Sequence, residues 1–161
     1  MRWLAAGAAS ILLLPALTSA HVVLKPKQAP ADSEVTLTFV VEHGCNGSPT
    51  KRLRIRVPDG VGNVTPLGVP GWKAAAAQTS ASAGASVAEL IWLGGTLDAQ
   101  TMGEFAATMR LPDKAGVTLY FPATQECERG VNRWSEIPGP DLPVGALKYP
   151  APALTLLKKA P

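Results

Sequence analysis

The chain has 161 residues, of which 47% are hydrophobic and 17% charged, and its 15 Lys and Arg against 12 Asp and Glu give a net charge of +3. This length suits a leader followed by one domain of ordinary size. The charges are scattered, with no basic run and no alternation of basic and aromatic residues. The composition therefore argues against a nucleic-acid partner.

The first twenty residues have the order of a secretory signal peptide. Arg2 supplies a positive charge, residues 3–17 are almost entirely apolar, and small residues at 18–20 precede a cleavage point. The apolar run is shorter than the roughly 20 residues that a membrane-spanning helix needs. We therefore predict a signal peptide over residues 1–20, export to the periplasm or the cell exterior, and a mature domain over residues 21–161 that has no membrane span.

Short runs of alternating apolar and polar residues, separated by Pro and Gly, fill the mature chain. They predict strands over residues 22–25, 34–42, 51–57, 61–67, 87–93 (ending at Gly94 and Gly95), 104–111, 117–122 and 131–137, a hairpin with a loose tip over 74–86, and a last strand within 151–157. No long amphipathic helix is predicted. Short strands with frequent turn signals are typical of a sandwich or barrel, so we expect one all-β domain. Trp72 and Trp92 are assigned to its core.

Two cysteines, Cys45 and Cys127, lie in the mature chain. In an exported protein this minimal even number predicts one disulfide. The bridge would close a loop of about 80 residues, worth roughly 4–5 kcal/mol on the chain-entropy model. A pair of thiolate metal ligands is the alternative, and it would need a reducing compartment or a catalytic setting.

Cleavage after Ala20 would make His21 the first residue of the protein. Its α-amine and its imidazole Nδ1 then form a chelate, and Cu(II) favours nitrogen ligands in a planar arrangement. Both groups must lose protons to bind, so the affinity would depend on pH. The alternative is a histidine that follows the cleavage point by chance.

Three other residues are candidates for the same site. Glu42 and His43 follow a predicted core strand, and one of them is a candidate third ligand; their ordinary roles would be an exposed carboxylate and a hydrogen bond at the end of the strand. Trp134 follows Cys127 closely in the sequence. A tryptophan near a disulfide usually belongs to the core of a β-sandwich, but it would also shield a metal ion if it packed over one.

Several segments together resemble one known family. They are residues 21–26 (His-Val-Val-Leu-Lys-Pro), 43–50, 70–73, 91–95, 103–105, 119–122, 125–127 and 132–138. The combination is similar to the bacterial YcnI-like proteins, long catalogued as a domain of unknown function, and it covers nearly the whole mature chain. Some relatives also carry a C-terminal membrane helix, which this sequence lacks.

The resemblance implies an immunoglobulin-like or cupredoxin-like β-sandwich that binds Cu(II) through a single-histidine brace. In such a brace the amine and the imidazole of the first residue, here His21, bind the ion together. A glutamate and a tryptophan complete the family's site. The tryptophan matches Trp134, whereas the glutamate is either Glu42 or is replaced by His43.

Three functions follow from these features. The leading hypothesis is an exported Cu(II)-binding protein without enzymatic activity, which stores copper or passes it to another copper-trafficking protein of the cell envelope. The second is a copper-dependent oxidative enzyme that cleaves polysaccharides with a His21 and His43 brace. The third is a metal-free module that binds another envelope protein. Hydrolytic motifs and phosphate-binding glycine loops are missing from the sequence, and zinc would need more His or Cys than remain once the bridge forms.

Overall fold

The computed structural model describes residues 21–78 and 87–159. Within them lie twelve strands: β1 (Val22–Lys25), β2 (Gln28–Pro30), β3 (Glu34–Val41), β4 (Thr50–Arg56), β5 (Gly62–Pro66), β6 (Lys73–Gln78), β7 (Val87–Leu97), β8 (Gly103–Arg110), β9 (Thr118–Tyr120), β10 (Ala123–Cys127), β11 (Val131–Trp134) and β12 (Ala153–Leu157). A single 3-10 turn, Val144–Ala146, is the only helical element in these two segments. The prediction of an all-β fold is confirmed.

Part of the sequence lies outside this description. The predicted signal peptide, residues 1–20, falls there, and so does the tip of the predicted hairpin, residues 79–86. The two strands of that hairpin, β6 and β7, are present and antiparallel. Within the described segments, no helix has the length and apolar character needed to cross a membrane.

Two sheets form the sandwich. One has the order β1-β3-β8-β5 and the other β11-β10-β4-β7-β6, while a third sheet of order β2-β12-β9 adds to the domain. Aromatic side chains join the two larger sheets, since the rings of Phe39 on β3 and Phe105 on β8 lie 6.5 and 5.6 Å from the ring of Trp92 on β7. Trp92 has no exposed surface, which confirms its assignment to the core. Trp72 is partly buried and packs against the same core.

Strand β3, which pairs with β1, contributes several buried residues to the core. Leu37, Phe39 and Val41 have 0% exposure, as expected for one face of a half-buried strand. Val40, which lies on the opposite face of the strand, is also buried, at 1% exposure. The last residues of β3 are therefore covered on both sides, and Glu42, directly after them, is the first side chain that reaches solvent.

Several strand boundaries differ from the sequence-based expectation, and the strand predicted over residues 131–137 ends at Trp134 as β11. Strand β7 was predicted to end at Gly94 and Gly95, but it continues to Leu97. The glycines allow this continuation: Gly94 has a φ of 83°, and a Cβ atom on Gly95 would lie 2.3 Å from the ring of Trp72. Glycine here makes room for an aromatic ring instead of ending the strand.

The strand expected over residues 117–122 is shorter than predicted. Only Thr118–Tyr120 forms a strand, β9, which belongs to the three-stranded sheet. After Pro122 the chain enters the five-stranded sheet as β10. The sequence of β10, Ala-Thr-Gln-Glu-Cys, has little β-branched character, and no strand was predicted for it. It forms because β4 and β11 pair with it on both sides, so the sheet imposes the conformation.

Candidate metal centre

His21 lies at the start of the edge strand β1. Strands β1 and β3 are antiparallel with Val22 opposite Val41, so His21 lies opposite Glu42. A backbone hydrogen bond fixes this pair, because the amide of Glu42 donates to the carbonyl oxygen of His21 at 3.2 Å. The pairing of the two strands, which buries Val22 and Val41, thus places the first residue of the domain beside the carboxylate that follows β3.

The side chains of His21 and Glu42 face each other. The imidazole Nδ1 and the carboxylate Oε2 are 3.9 Å apart, and the two side chains are 32% and 38% exposed. This separation is too long for a hydrogen bond. Two ligand atoms that bind one ion with bonds of about 2 Å each lie at most about 4 Å apart. The distance between Nδ1 and Oε2 is within this limit.

The indole of Trp134 forms one wall of the same site. Its ring centroid lies 5.6 Å from that of His21, with the ring planes at 43°, and Trp134 is only 2% exposed. On its other side the indole meets Tyr149, with centroids 5.3 Å apart. Trp134 ends β11 in the opposite sheet, so the site spans both sheets of the sandwich. An ion at His21 would have an apolar ring on this side.

His43 is placed differently from the other three candidates. Its Nδ1 donates to the carbonyl oxygen of Gly44 at 3.0 Å, and its Nε2 is buried with no hydrogen-bond partner in the described segments. A neutral imidazole that donates through Nδ1 carries its free lone pair on Nε2. That lone pair has no open path to a metal ion from solvent. The structure thus brings His21, Glu42 and Trp134 together and directs the ring of His43 to its own backbone.

The predicted disulfide is present, and it lies close to the loop that follows Glu42 and His43. Cys45 and Cys127 are bonded at 2.08 Å, with their Cα atoms 6.0 Å apart and a sequence separation of 82. Gly44 precedes the bridge at a point with no room for a side chain, since a Cβ atom there would lie 2.0 Å from the carbonyl oxygen of Ser48. The bridge ties the loop after β3 to the end of β10.

Clusters of the usual metal-binding side chains give no further candidate. Within residues 21–78 and 87–159, no group of three or more His, Cys, Asp and Glu side chains is arranged to hold an ion. The pair formed by His21 and Glu42 therefore needs a donor of another kind to make a metal site. The α-amine of His21 would be that donor in a chain that begins there.

Comparison with protein families identifies the chain. Residues 21–156 match the model of the family described as "Domain of unknown function (DUF1775)". The chain belongs to this family. DUF1775 is the family that includes the YcnI proteins, so the resemblance read from the sequence motifs is confirmed at the level of the family.

A solved structure supports the fold of this DUF1775 domain. The chain is similar to an uncharacterized protein from Nocardia farcinica, whose crystal structure is described as an immunoglobulin-like fold, with a TM-score of 0.69 and 24% sequence identity over 85% of this chain and 98% of that one. The prediction of an immunoglobulin-like β-sandwich is confirmed. No curated protein matches the chain.

One residue that contacts Trp134 has a role that the sequence did not predict. Gln125 on β10 has 0% exposure. Its Oε1 accepts from Trp134 Nε1 at 3.2 Å, and its Nε2 donates at 2.8 Å both to the carbonyl oxygen of His43 and to Thr50 Oγ1. The amide of Gln125 therefore positions the indole and the loop after β3 at the same time. The signal in the sequence was a polar residue two positions before Cys127.

Replacement of Gln125 is expected to destabilise the domain. In a Gln125→Leu variant the indole N–H, the carbonyl of His43 and the hydroxyl of Thr50 lose their buried partners, and we expect the free energy of unfolding to fall by about 2–4 kcal/mol. Urea unfolding measures it. The matched control is Gln28→Leu at an exposed position of β2, where a change within about 0.5 kcal/mol is expected. Equal losses in both variants would contradict this role of Gln125.

An apolar groove adjoins the site. It has a volume of about 370 Å³ and begins at His21, with β1 along one side and residues Pro138, Leu147 and Pro152 among its other walls. Strand β1 is the edge of its sheet.

Proposed function

We propose that the mature protein, beginning at His21, binds one Cu(II) ion through a single-histidine brace. The observation that carries this proposal is the 3.9 Å separation of His21 Nδ1 and Glu42 Oε2 beside the buried ring of Trp134. Copper is the cargo of the protein in this proposal, held for storage or delivery. The receiving partner would be another copper-trafficking protein of the envelope.

The donor set favours Cu(II) over other common ions. The α-amine and Nδ1 of His21 supply two nitrogen atoms and Glu42 supplies an oxygen atom. Nitrogen and oxygen ligands in a tetragonal arrangement suit Cu(II), and Cu(II) heads the affinity order of the divalent first-row metals. Structural zinc sites use four His or Cys ligands in most proteins, and no such cluster exists in the described segments.

Export is part of the proposal, because the amine exists only after cleavage. A signal peptidase cut after Ala20 would release His21 as the first residue in the periplasm or outside the cell. Two observations support this cut. The family match begins at residue 21, and the disulfide between Cys45 and Cys127 is typical of proteins that fold in an oxidising compartment.

We propose a binding role without catalysis. The alternative of an oxidative enzyme requires His43 as the second histidine of the brace. The Nδ1 of His43 donates to the carbonyl oxygen of Gly44 and its Nε2 is buried. These contacts argue against His43 as a copper ligand. The third hypothesis, a metal-free protein-binding module, does not explain why His21, Glu42 and Trp134 lie together.

A titration with Cu(II) tests the proposal. Protein produced by export, with its first residue checked by mass spectrometry, is expected to bind one equivalent. A ligand that binds only the native state must raise its stability, by about 2.7 kcal/mol at a free concentration of 100 times Kd. Thermal unfolding with and without Cu(II) measures this. No saturable binding and no rise in Tm would refute the proposed function.

The carboxylate of Glu42 is expected to contribute to Cu(II) affinity. A Glu42→Gln variant keeps the size of the side chain but removes the charge, and we expect the Kd for Cu(II) to rise by about 10–100-fold, or roughly 1.4–2.8 kcal/mol. A competition assay with a chelator of known affinity measures Kd. The control is Glu104→Gln on β8, which removes a carboxylate that is 63% exposed and 4.0 Å from Lys25 Nζ. A similar loss in both variants would mean that only the overall negative charge matters.

A further inference from the structure

Met102 is an exposed methionine with no structural role in the core. Its exposure is 59%, whereas Met109, the other methionine of the described segments, is 1% exposed and lies in the hydrophobic core. Large apolar side chains at the surface are common, so exposure alone gives Met102 no function. Its position relative to the copper site is the informative observation.

The strand register places Met102 beside Glu42. Strands β3 and β8 are antiparallel, and their last paired residues at this end are Val41 and Gly103. The next residues of the two chains, Glu42 and Met102, therefore lie at the same end of the sheet.

The two chains stay together beyond this pair. The amide of Gly44 donates to the carbonyl oxygen of Ala99 at 2.9 Å, so Glu42 and Met102 lie between two fixed contacts. His21 lies opposite Glu42 on the other side, held by the backbone hydrogen bond of 3.2 Å. The three residues His21, Glu42 and Met102 thus form a row at one end of β1, β3 and β8, where neighbouring strands are about 4.8 Å apart.

The chemistry of this row differs from that of the Cu(II) ligands alone. An amine and a carboxylate favour Cu(II), whereas a thioether is a soft ligand that selects Cu(I), and imidazole accepts either ion. Methionine also has three rotatable bonds, so its sulfur atom can move over the central residue of the row. A thioether beside a Cu(II) brace offers the ligand that the reduced ion prefers.

We propose that Met102 is a thioether ligand that, with His21, lets this site bind Cu(I) as well as Cu(II). The inference rests on the proposed copper function and extends it to the second oxidation state. His21 serves both ions, with Glu42 favouring the oxidised one and Met102 the reduced one. The protein would accept Cu(I) from a donor that already holds it in that state, and no electron transfer is required of the protein.

Two matched variants test this inference. Met102→Leu and Met109→Leu remove one thioether each, and exchange of Met for Leu conserves volume and costs little stability. Cu(I) affinity is measured by competition with a chromogenic Cu(I) chelator under anaerobic conditions, and Cu(II) affinity is measured on the same preparations. We expect Met102→Leu to weaken Cu(I) binding about tenfold or more and to change the Kd for Cu(II) less than about twofold, while Met109→Leu changes neither.

X-ray absorption of the Cu(I)-loaded protein gives a direct readout. A sulfur atom bound to copper is expected in the wild type and in Met109→Leu, and its loss is expected in Met102→Leu. Unchanged Cu(I) affinity in Met102→Leu, or a wild-type spectrum without sulfur, overturns the role of Met102 while normal Cu(II) binding leaves the proposed function standing. Failure of the wild type to bind either ion overturns both.

Discussion

One extra residue placed before His21 is expected to abolish specific Cu(II) binding. The added residue converts the α-amine into an amide nitrogen, which no longer offers a free lone pair, and the brace loses one of its two nitrogen atoms. The added residue is N-acetylated so that no new amine replaces the lost donor, and only Nδ1 of His21 and the carboxylate of Glu42 remain. We expect the Kd for Cu(II) to rise by about 100-fold or more, which corresponds to roughly 2.8 kcal/mol. Isothermal titration and the Cu(II) electron paramagnetic resonance spectrum measure the loss.

The control adds the same residue after Pro161, at the other end of the chain. That protein is expected to bind one equivalent of Cu(II) as tightly as the parent. Both extended proteins should melt at the parent temperature in the absence of copper, because neither extension touches the core. Tight binding by the N-terminally extended protein would show that the α-amine is not a ligand, and the brace would have to be abandoned.

The features that sequence patterns predicted well are local ones. Alternation of apolar residues is a property of a single strand, and it placed Leu37, Phe39 and Val41 correctly in the core. The disulfide was predicted from the number of cysteines alone, because two cysteines allow one pairing. Neither prediction requires knowledge of which distant strands meet.

The features that were missed depend on contacts between distant segments. Strand β10 forms because β4 and β11 flank it, and Gln125 becomes a buried hydrogen-bonding centre only in that position. The sequence left the choice between Glu42 and His43 open because adjacent residues at the end of a strand face opposite sides. In the structure Glu42 is the residue that pairs with His21 through the backbone.

Two separate features position the residues of the candidate site. The pairing of β1 with β3 positions His21 and Glu42, and the disulfide lies beside the residues that position Trp134. His21 and Glu42 are set by β1 and β3, which the bridge does not cross. Trp134 is set by Gln125, whose carbonyl oxygen lies 3.8 Å from Cys45 Sγ. Stability of the domain and affinity for the ion should therefore respond differently when the bridge is removed.

A Cys45→Ala/Cys127→Ala variant is expected to lose about 4 kcal/mol of unfolding free energy. The bridge spans 82 residues, and a closed loop of this size restricts the unfolded chain strongly; native disulfides in small secreted domains contribute typically about 2–5 kcal/mol. Alanine is the suitable replacement because Cys45 is 2% exposed, and a serine hydroxyl there would need a buried partner. Urea unfolding of the copper-free protein measures the loss.

The loss in the double variant has two contributions, the opening of the loop and the missing sulfur atoms. Unfolding the wild-type protein under reducing conditions measures the first of them alone. The reduced protein keeps both sulfur atoms, so it reports the effect of the open loop alone, and the double variant adds the small cavity left by the missing atoms. We expect most of the loss in both samples. At a temperature where the variant is folded, its Kd for Cu(II) should stay within about threefold of that of the wild type. The reason is that His21 and Glu42 keep their strand pairing without the bridge. A loss of unfolding free energy below about 1 kcal/mol would contradict the stabilising effect of closing the loop. A large rise of the Kd for Cu(II) in the folded variant would mean that the bridge, through Gln125 and Trp134, also positions the metal ligands.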